Sequence, residues 1–423
     1  MPARKIVFGF DPSETTCFVN RRVVSEHADE AGALWMQRRR AIGLPQYRLR
    51  HLARLDERVC AHLAGLQIAG EDGWRLALDT LASGDAGALF AVTYLAFADG
   101  DRERMRHALM LAFAAPEQTA AFLDALAWLP TAGLRDAMAA LEQSPVARYR
   151  YVACCTFGAW RDLPDADPAS DPFLRLAGDA DPAVRARALQ AAGELKLYGL
   201  QAVLNSAGRD PDAYCRFRSA CALALMGQAG AAEQAFELGA HHPLLARESV
   251  DVALRCGNPD WARQTIRQLA ADPAGRRLAI LASGAFGDPA TVPWLIECTA
   301  DPSCAAVAGE AIATITGVDL EYLDLDGELP PDAPEAHLDD AHLPWPDSVR
   351  LKSWWAGQAG GFTSGVRYLA GRPVSTPNLR QVLRDGYQRM RASAAIELAR
   401  IDRAAALFPV SARADWQLRR LAA

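Results

Sequence analysis

The sequence has no apolar run long enough to cross a bilayer: its longest, Gly87 to Ala98, falls well short of the roughly 20 residues a spanning helix needs. The opening MPARKIVFGFDPSE offers only five apolar residues, Ile6 to Phe10, before an acidic turn, too few for the core of a signal peptide. Both absences lead to the expectation of a cytoplasmic protein without a membrane partner. Positive charge is not in excess either. The formal net charge is −6, which argues against nucleic acid as partner. The nine cysteines are odd in number and show no CxxC spacing, so they read as small buried hydrophobes in a reducing compartment rather than as a disulfide framework or zinc site. Missing too are a GxSxG elbow, HExxH, the phosphate-cradling GxxxxGK[ST] and a dinucleotide fingerprint after a strand. These absences leave no catalytic, cofactor-binding or metal residue to name.

What is present is helix. Ala is abundant, β-branched runs are scarce, and apolar residues recur at three- and four-residue steps through most of the 423 residues. Asp179 to Leu204 is the clearest example. Asp181 can cap a helix whose first position is Pro182, and Val184, Ala188, Leu189, Ala192 and Leu195 share one face. A lone helix cannot bury that stripe. Similar starts recur at Pro116, Pro145, Pro182, Pro211, Pro243, Pro273 and Pro302, spaced by 29, 37, 29, 32, 30 and 29 residues. Most follow a residue able to cap: Ser144, Asp181, Asp210, Asp272 and Asp301, with His242 an imperfect substitute. Asp85 marks a further unit without proline. A period near 30 with one helix start per unit means stacked helical hairpins.

These units resemble HEAT-type repeats, in which an Asp-Pro turn precedes the second helix and an Arg lies a few positions into it. The matching arginines are Arg148, Arg185, Arg216 or Arg218, Arg247, and Arg276 or Arg277. Two explanations stand for the row: an Arg–Asp ladder between adjacent turns, or an exposed row on the concave surface able to hold acidic groups of a partner. The expected fold class is therefore all-α, a HEAT-like α-solenoid. Its parts are a β-prone N-terminal arm (1–25), a helical cap (26–80), repeats (81–317), an acidic Pro-rich loop (318–347), and a C-terminal helical cap with a final repeat-like hairpin (348–423).

Charge is unevenly spread. Residues 1–60 carry eleven Lys/Arg against seven Asp/Glu, a local +4, which leaves −10 for the remainder. Arg48, Arg54 and Arg58 lie opposite the Leu49–Leu66 stripe, either as a solvated face or as a docking patch for an acidic partner. The Val318–Asp347 stretch holds ten acidic residues, no Lys or Arg and five prolines, and cannot continue a helical stack. A docking of the basic helices around Arg38–Arg40 and Arg48–Arg58 onto that stretch, within one chain, is a third use for both. Asp324, Asp326, Gly327 and Glu328 form part of a calcium-loop pattern that Tyr322 spoils, and His337 and His342 flank Asp339 and Asp340 without helical spacing. Neither carries a metal. Gly357 to Gly365 reads as a turn, and Cys154–Cys155 as a buried pair. Adjacent Trp354 and Trp355 point about 100° apart on a helix, so one can leave the core and anchor a partner, or both can pack against the acidic loop.

The two ends of the chain carry a more specific likeness. HADEAGALWMQRR, HLARLDERVCAHLAGLQIAGEDGW, LPWPDSVRLKSWW, GVRYLAGRPVS and LRQVLRDGYQRMRASAAIELA resemble a proteobacterial family of uncharacterised HEAT-repeat proteins. The likeness is most direct at His27, Trp35, Leu55, Asp56, Arg58, His62 and Gly65, and at Trp354, Trp355, Gly371, Arg372 and Pro373. Members are often encoded near type VI secretion components, which implies an accessory role there: a protein-binding solenoid, with a secretion effector or structural component as partner. It implies no reaction. The arginines of the repeats (Arg185, Arg216, Arg218, Arg247, Arg277), the basic helix (Arg48, Arg54, Arg58) and Trp354–Trp355 are the candidate protein-binding residues. A helical-repeat enzyme or ligand binder, of the bilin-lyase or base-excising kind, is the alternative.

Overall fold

Short turns and their caps place the helices. The computed structural model describes residues 19–81, 84–160, 172–331 and 337–422, and among these the chain forms 22 α-helices and two two-residue strands, Tyr368–Leu369 paired antiparallel with Arg372–Pro373. The expected β-prone arm lies mostly outside the described residues. Its last part is helical: the first helix runs Arg21–Gly43, starting ahead of the expected boundary at residue 26. The Asn20 side chain accepts from the N–H groups of Arg22 (3.2 Å) and Val23 (3.5 Å), and this cap outweighs the β-propensity of Val23 and Val24.

The chain divides into two compact units, one of Met1–Met36 and Glu57–Ala125, the other of Gln37–Asp56 and Leu126–Ala423. In the first, the Arg21–Gly43 and Ala86–Asp99 helices touch through their backbones at Gly32 and Gly87. A Cβ on Gly32 would lie 2.7 Å from the Gly87 carbonyl carbon, and one on Gly87 would lie 2.5 Å from the Gly32 oxygen. The close crossing lets Trp35 stack on Phe90 at 5.2 Å in the core. Asp85 caps the second of these helices through the Gly87 N–H, as its sequence position suggests.

In the second unit, helices come in consecutive pairs. Pro172–Leu176 packs on Pro182–Glu194, Gln201–Ala207 on Ala213–Leu225, Ala231–Gly239 on Ala246–Cys256, Pro259–Ala271 on Arg276–Phe286, and Val292–Cys298 on Ala305–Thr316. Each second helix also packs on the second helix of the next pair, and Pro182–Glu194 on Ala147–Trp160 before it. Val250, Leu254, Ile280, Ile296, Ile312 and Ile315 illustrate the buried stripes this arrangement fills.

The turns carry the ladder. Arg150 reaches forward to Asp179 with two hydrogen bonds (2.6 and 2.7 Å) and back to the Ser144 carbonyl (2.9 Å). Arg185 does the same, to both Asp210 oxygens (2.9 Å each) and back to the carbonyls of Asp179 and Ala180. Arg216 bonds back to the Asp210 carbonyl at 2.7 Å, but the equivalent forward position is His242. The ladder resumes at Arg276, 2.9 Å from Asp301. Asp179, Asp210 and Asp301 also accept the N–H two residues on, so each closes its turn as well as its rung. The proline spacing mis-registers this device. Asp179 corresponds to Asp210, the helices beginning at Pro182 and Ala213 correspond, and the rung in the earlier turn is Arg150 rather than Arg148.

The Gln388–Ile401 helix returns to lie against Ala246–Cys256 and Ala213–Leu225. The small hairpin before it closes the end of Ala305–Thr316, where the N–H groups of Ala370 and Gly371 meet the orphan carbonyls of Thr314 and Ile315. The Arg185 guanidinium beside Asp210, then the Asp212 N–H, hold that carboxyl below the ordinary carboxylate range against the pull of burial. At Asp179 burial pulls upward, but the bonds from Arg150 and the Asp181 N–H outweigh it. A depressed folded-state pKa means these groups add stability that is complete above the ordinary value of 3.8 and is lost as the pH falls below it through the folded value. Arg185→Ala should therefore cost about 2 kcal/mol at neutral pH, and the deficit relative to wild type should shrink in urea titrations taken toward pH 3. A deficit that stays constant across that range would rule out the carboxylate rung as its source.

Candidate functional site

One face of the second unit concentrates charge. The Ala246–Cys256, Arg276–Phe286 and Ala305–Thr316 helices present Arg247, Arg255, Arg277 and Glu310, and Gln388–Ile401 brings Arg389 and Glu397 to the same side. Of these, Arg247, Arg255, Glu310 and Arg389, together with Asp251 and Asp339, surround a cavity of about 360 Å³, whose apolar walls include Val250, Leu281, Val307 and Ala311.

Glu310 is the pivot of one cluster. Its two oxygens accept from Arg247 (3.0 Å) and from Arg389 (2.7 Å). Arg389 also donates to the carbonyls of Gly43 (2.9 Å) and Asp339 (2.8 Å). Burial pulls the Arg247 guanidinium toward losing its proton, yet Glu310 and then Asp251 more than offset this and hold it charged. Beside it, Arg277 forms a bidentate pair with Asp340 (2.7 and 2.9 Å), the fork-to-fork geometry that makes Arg–carboxylate contacts directional. Asp339 stands 3.6 Å from Arg247.

Glu397 anchors the second cluster. It is fully buried and ringed by Arg367, Arg400 (3.0 Å) and Arg255 (3.7 Å). Arg255, itself 3% exposed, donates to Ser393 at 2.8 Å, while its Nε has no acceptor. Burial lowers the Arg367 pKa despite the adjacent Glu397. A further guanidinium, Arg391, sits in the core with no carboxylate partner among the described residues; it donates to the Leu383 carbonyl (2.7 Å), Gln388 and Gln417, and burial pushes its pKa down to about 10.

The residues expected to bind a partner fall into three groups. Arg185 and Arg216 belong to the turns and are spent there. Arg218 is buried against Tyr214 and Glu248. Arg247 and Arg277 join the charged face and hold acidic residues of the same chain. The contacts described for Arg38 and Arg48 are not the expected direct docking on the acidic stretch. Arg38 is buried, pairs with Asp56 at 2.8 Å and donates to the carbonyls of Ser411 and Ala412. Arg48 binds the Asp385 carbonyl and stacks on Tyr387, whose hydroxyl donates to Asp319, so it reaches the acidic stretch at one remove. Arg54 is exposed, and Arg58 is exposed 3.7 Å from Glu30. Trp354 and Trp355 are half-buried against the core, with Trp355 continuing through Phe362 to Tyr368 in ring contacts of 5.3 and 5.0 Å. Packing uses them.

Sequence reasoning missed Glu310, Glu397, Arg255 and Arg389. A signal existed: Glu310 and Glu397 are lone carboxylates inside the apolar stretches AAVAGEAIATI and ASAAIELA, where a charge is kept only if paired. Burial pushes the thiols of Cys154, Cys155, Cys215, Cys221, Cys256 and Cys298 up, Cys298 to about 11 and Cys256 to about 12, away from the thiolate form a nucleophile needs. Among the described residues no group of three or more His, Cys, Asp or Glu is arranged to hold a metal ion, and none of their helices is long and apolar enough to cross a membrane.

Compared with models of known protein families, with curated proteins and with solved structures, the chain finds no match in any of the three.

Replacing Glu397 by Gln would leave Arg255, Arg367 and Arg400 around a neutral amide. The expected loss is about 3–5 kcal/mol in chemical denaturation at pH 7. A loss under about 1 kcal/mol, typical of an exposed pair, would mean that Glu397 does not neutralise the cluster.

Proposed function

We propose that this chain is a HEAT-like α-solenoid that acts by holding another protein, without catalysing a reaction. The likeness of its two ends to the type VI-associated family supports an accessory role in such a system: an effector chaperone or adaptor, or an immunity-type protein, working in the cytoplasm. One observation carries the binding reading. The arginines of the charged face already hold a stretch of polypeptide, with Arg277 forked on Asp340, Arg247 facing Asp339, and Arg389 on the Asp339 carbonyl. Consecutive hairpins in register build a continuous face for this kind of recognition, and the ladder at the turns fixes their spacing without using that face.

The alternative, a helical-repeat enzyme or ligand binder, has one feature in its favour. The cavity of about 360 Å³ combines three arginines, three carboxylates and apolar walls, with the buried Arg255 Nε lacking an acceptor. The base-excising form fits poorly with a net charge of −6.

Affinity purification of the tagged chain from its native host should recover a secretion effector, an immunity target or a structural component of the apparatus in stoichiometric amount. Recovery of no stable protein partner, with secretion induced and uninduced, would remove the reading; salt-sensitive binding to duplex DNA would favour the alternative.

A further inference from the structure

The acidic stretch has a tethered part and a part held by arginines. Val318, Leu320 and Leu325 are buried in the core beside Ile312, Ile315 and Leu351. The Gly327 N–H donates to the Trp345 carbonyl (2.8 Å), the Asp347 N–H to the Leu325 carbonyl (2.9 Å), and Asp326 bridges Pro346. Asp347 then caps the Ser348–Gln358 helix through the N–H groups of Val349 and Arg350. The two flanks are thus pinned to each other and to the core by contacts that do not involve Asp339 or Asp340. The short 3₁₀ turn Leu338–Asp340 is gripped differently, by charge, from three separate helices that carry Arg247, Arg277 and Arg389.

We infer that the Arg247–Arg277–Arg389 cradle is the docking surface for an acidic turn of a partner protein, and that Leu338–Asp340 occupies it as an internal stand-in. This rests on the protein-binding reading above and names the chemistry that reading leaves open. The occupant it selects carries two adjacent carboxylates on a single turn: one takes the Arg277 fork, and the other, with its backbone carbonyl, lies between Arg247 and Arg389. Charge complementarity is the ground for this choice. The cradle presents three guanidinium groups on a chain that is otherwise acidic; Glu310 and Asp251 face them from the repeat helices, and Asp339 and Asp340 from the acidic stretch. Because the flanks hold independently, exchange of the internal turn for an external one leaves Leu320, Leu325 and the Asp347 cap in place.

The test uses the full chain and a fluorescein-labelled peptide of the chain's own residues 337–345, HLDDAHLPW. Asp339→Asn with Asp340→Asn removes the stand-in's charge and should bind the peptide at least ten-fold tighter than wild type in anisotropy titrations. Adding Arg277→Gln to that variant should abolish the gain, as should a peptide with both aspartates changed to asparagine. Equal binding by wild type and the double variant, or a gain that survives Arg277→Gln, overturns the inference. Should the double variant not melt cooperatively, Asp340→Asn alone serves, with the same direction expected and the same result against it. A partner captured from the host by a chain that shows no peptide gain would place binding on another surface, so the two readings fail separately.

Discussion

Much of the second unit depends on one guanidinium geometry. In a turn such as Asp179–Arg185, the Arg side chain satisfies carbonyls of its own turn and forks onto the Asp that closes the next one. The contact is local at one end and reaches the following hairpin at the other, so it sets the distance between successive second helices before any core residue is counted. An apolar core is tolerant of small slides along a helix axis. A bidentate pair between part-buried groups is not, and two such rungs, Arg150–Asp179 and Arg185–Asp210, with a single bond at Arg276–Asp301, give the pairs a common register. Where the ladder lapses at His242, Arg218 and Glu248 join the neighbouring helices instead.

The second organising element is the return of the C-terminal segment. Burying charge is costly unless its partners arrive in good geometry, and here they come from distant parts of the sequence. Glu397 meets Arg255 and Arg367, Lys196 donates to the Leu225 and Ala399 carbonyls, and Arg38 meets Asp56 and the Ser411 and Ala412 carbonyls. The charged face of the hairpins is therefore covered rather than open. It is lined by charge, partly filled by the Gln388–Ile401 helix, and closed at Arg277 by the acidic stretch.

Helical class, the repeat near 30 residues and the presence of Arg–Asp rungs were legible, because Asp-Pro turns, 3.6-residue periodicity and one Arg per unit are local signals. Register was not. Proline tolerates several positions around a helix start, so Pro182 opens its helix while Pro302 precedes its helix by three residues, and an alignment on proline slides by that amount. The start of the first helix was misread for a similar reason: Val23 and Val24 speak for strand, and a single Asn20 side chain overrules them. The site was legible only as a row of arginines. Arg185 and Arg247 look alike in sequence, and what separates them is the residue opposite: Asp210 lies 25 positions on, within the local pattern, whereas Glu310 lies 63 positions away. No local rule reaches that far, and the acidic stretch's choice of Arg277 over Arg48 is equally a matter of tertiary geometry.

The late position of Glu397 in the chain also bears on synthesis. Translation proceeds from the N-terminus, so every helix pair through Ala305–Thr316 emerges before the carboxylate that neutralises Arg255 has been made. Until then the charged face carries arginines and Lys196 without their final partners, while neighbouring pairs are already able to stack. A chain cut short between Thr316 and Glu397 keeps the ladder at its turns but lacks the carboxylate that meets Arg255 and Arg367. Such a product keeps Arg255 without the carboxylate that stands 3.7 Å from it in the fold, and its positive groups stay open to acidic surfaces.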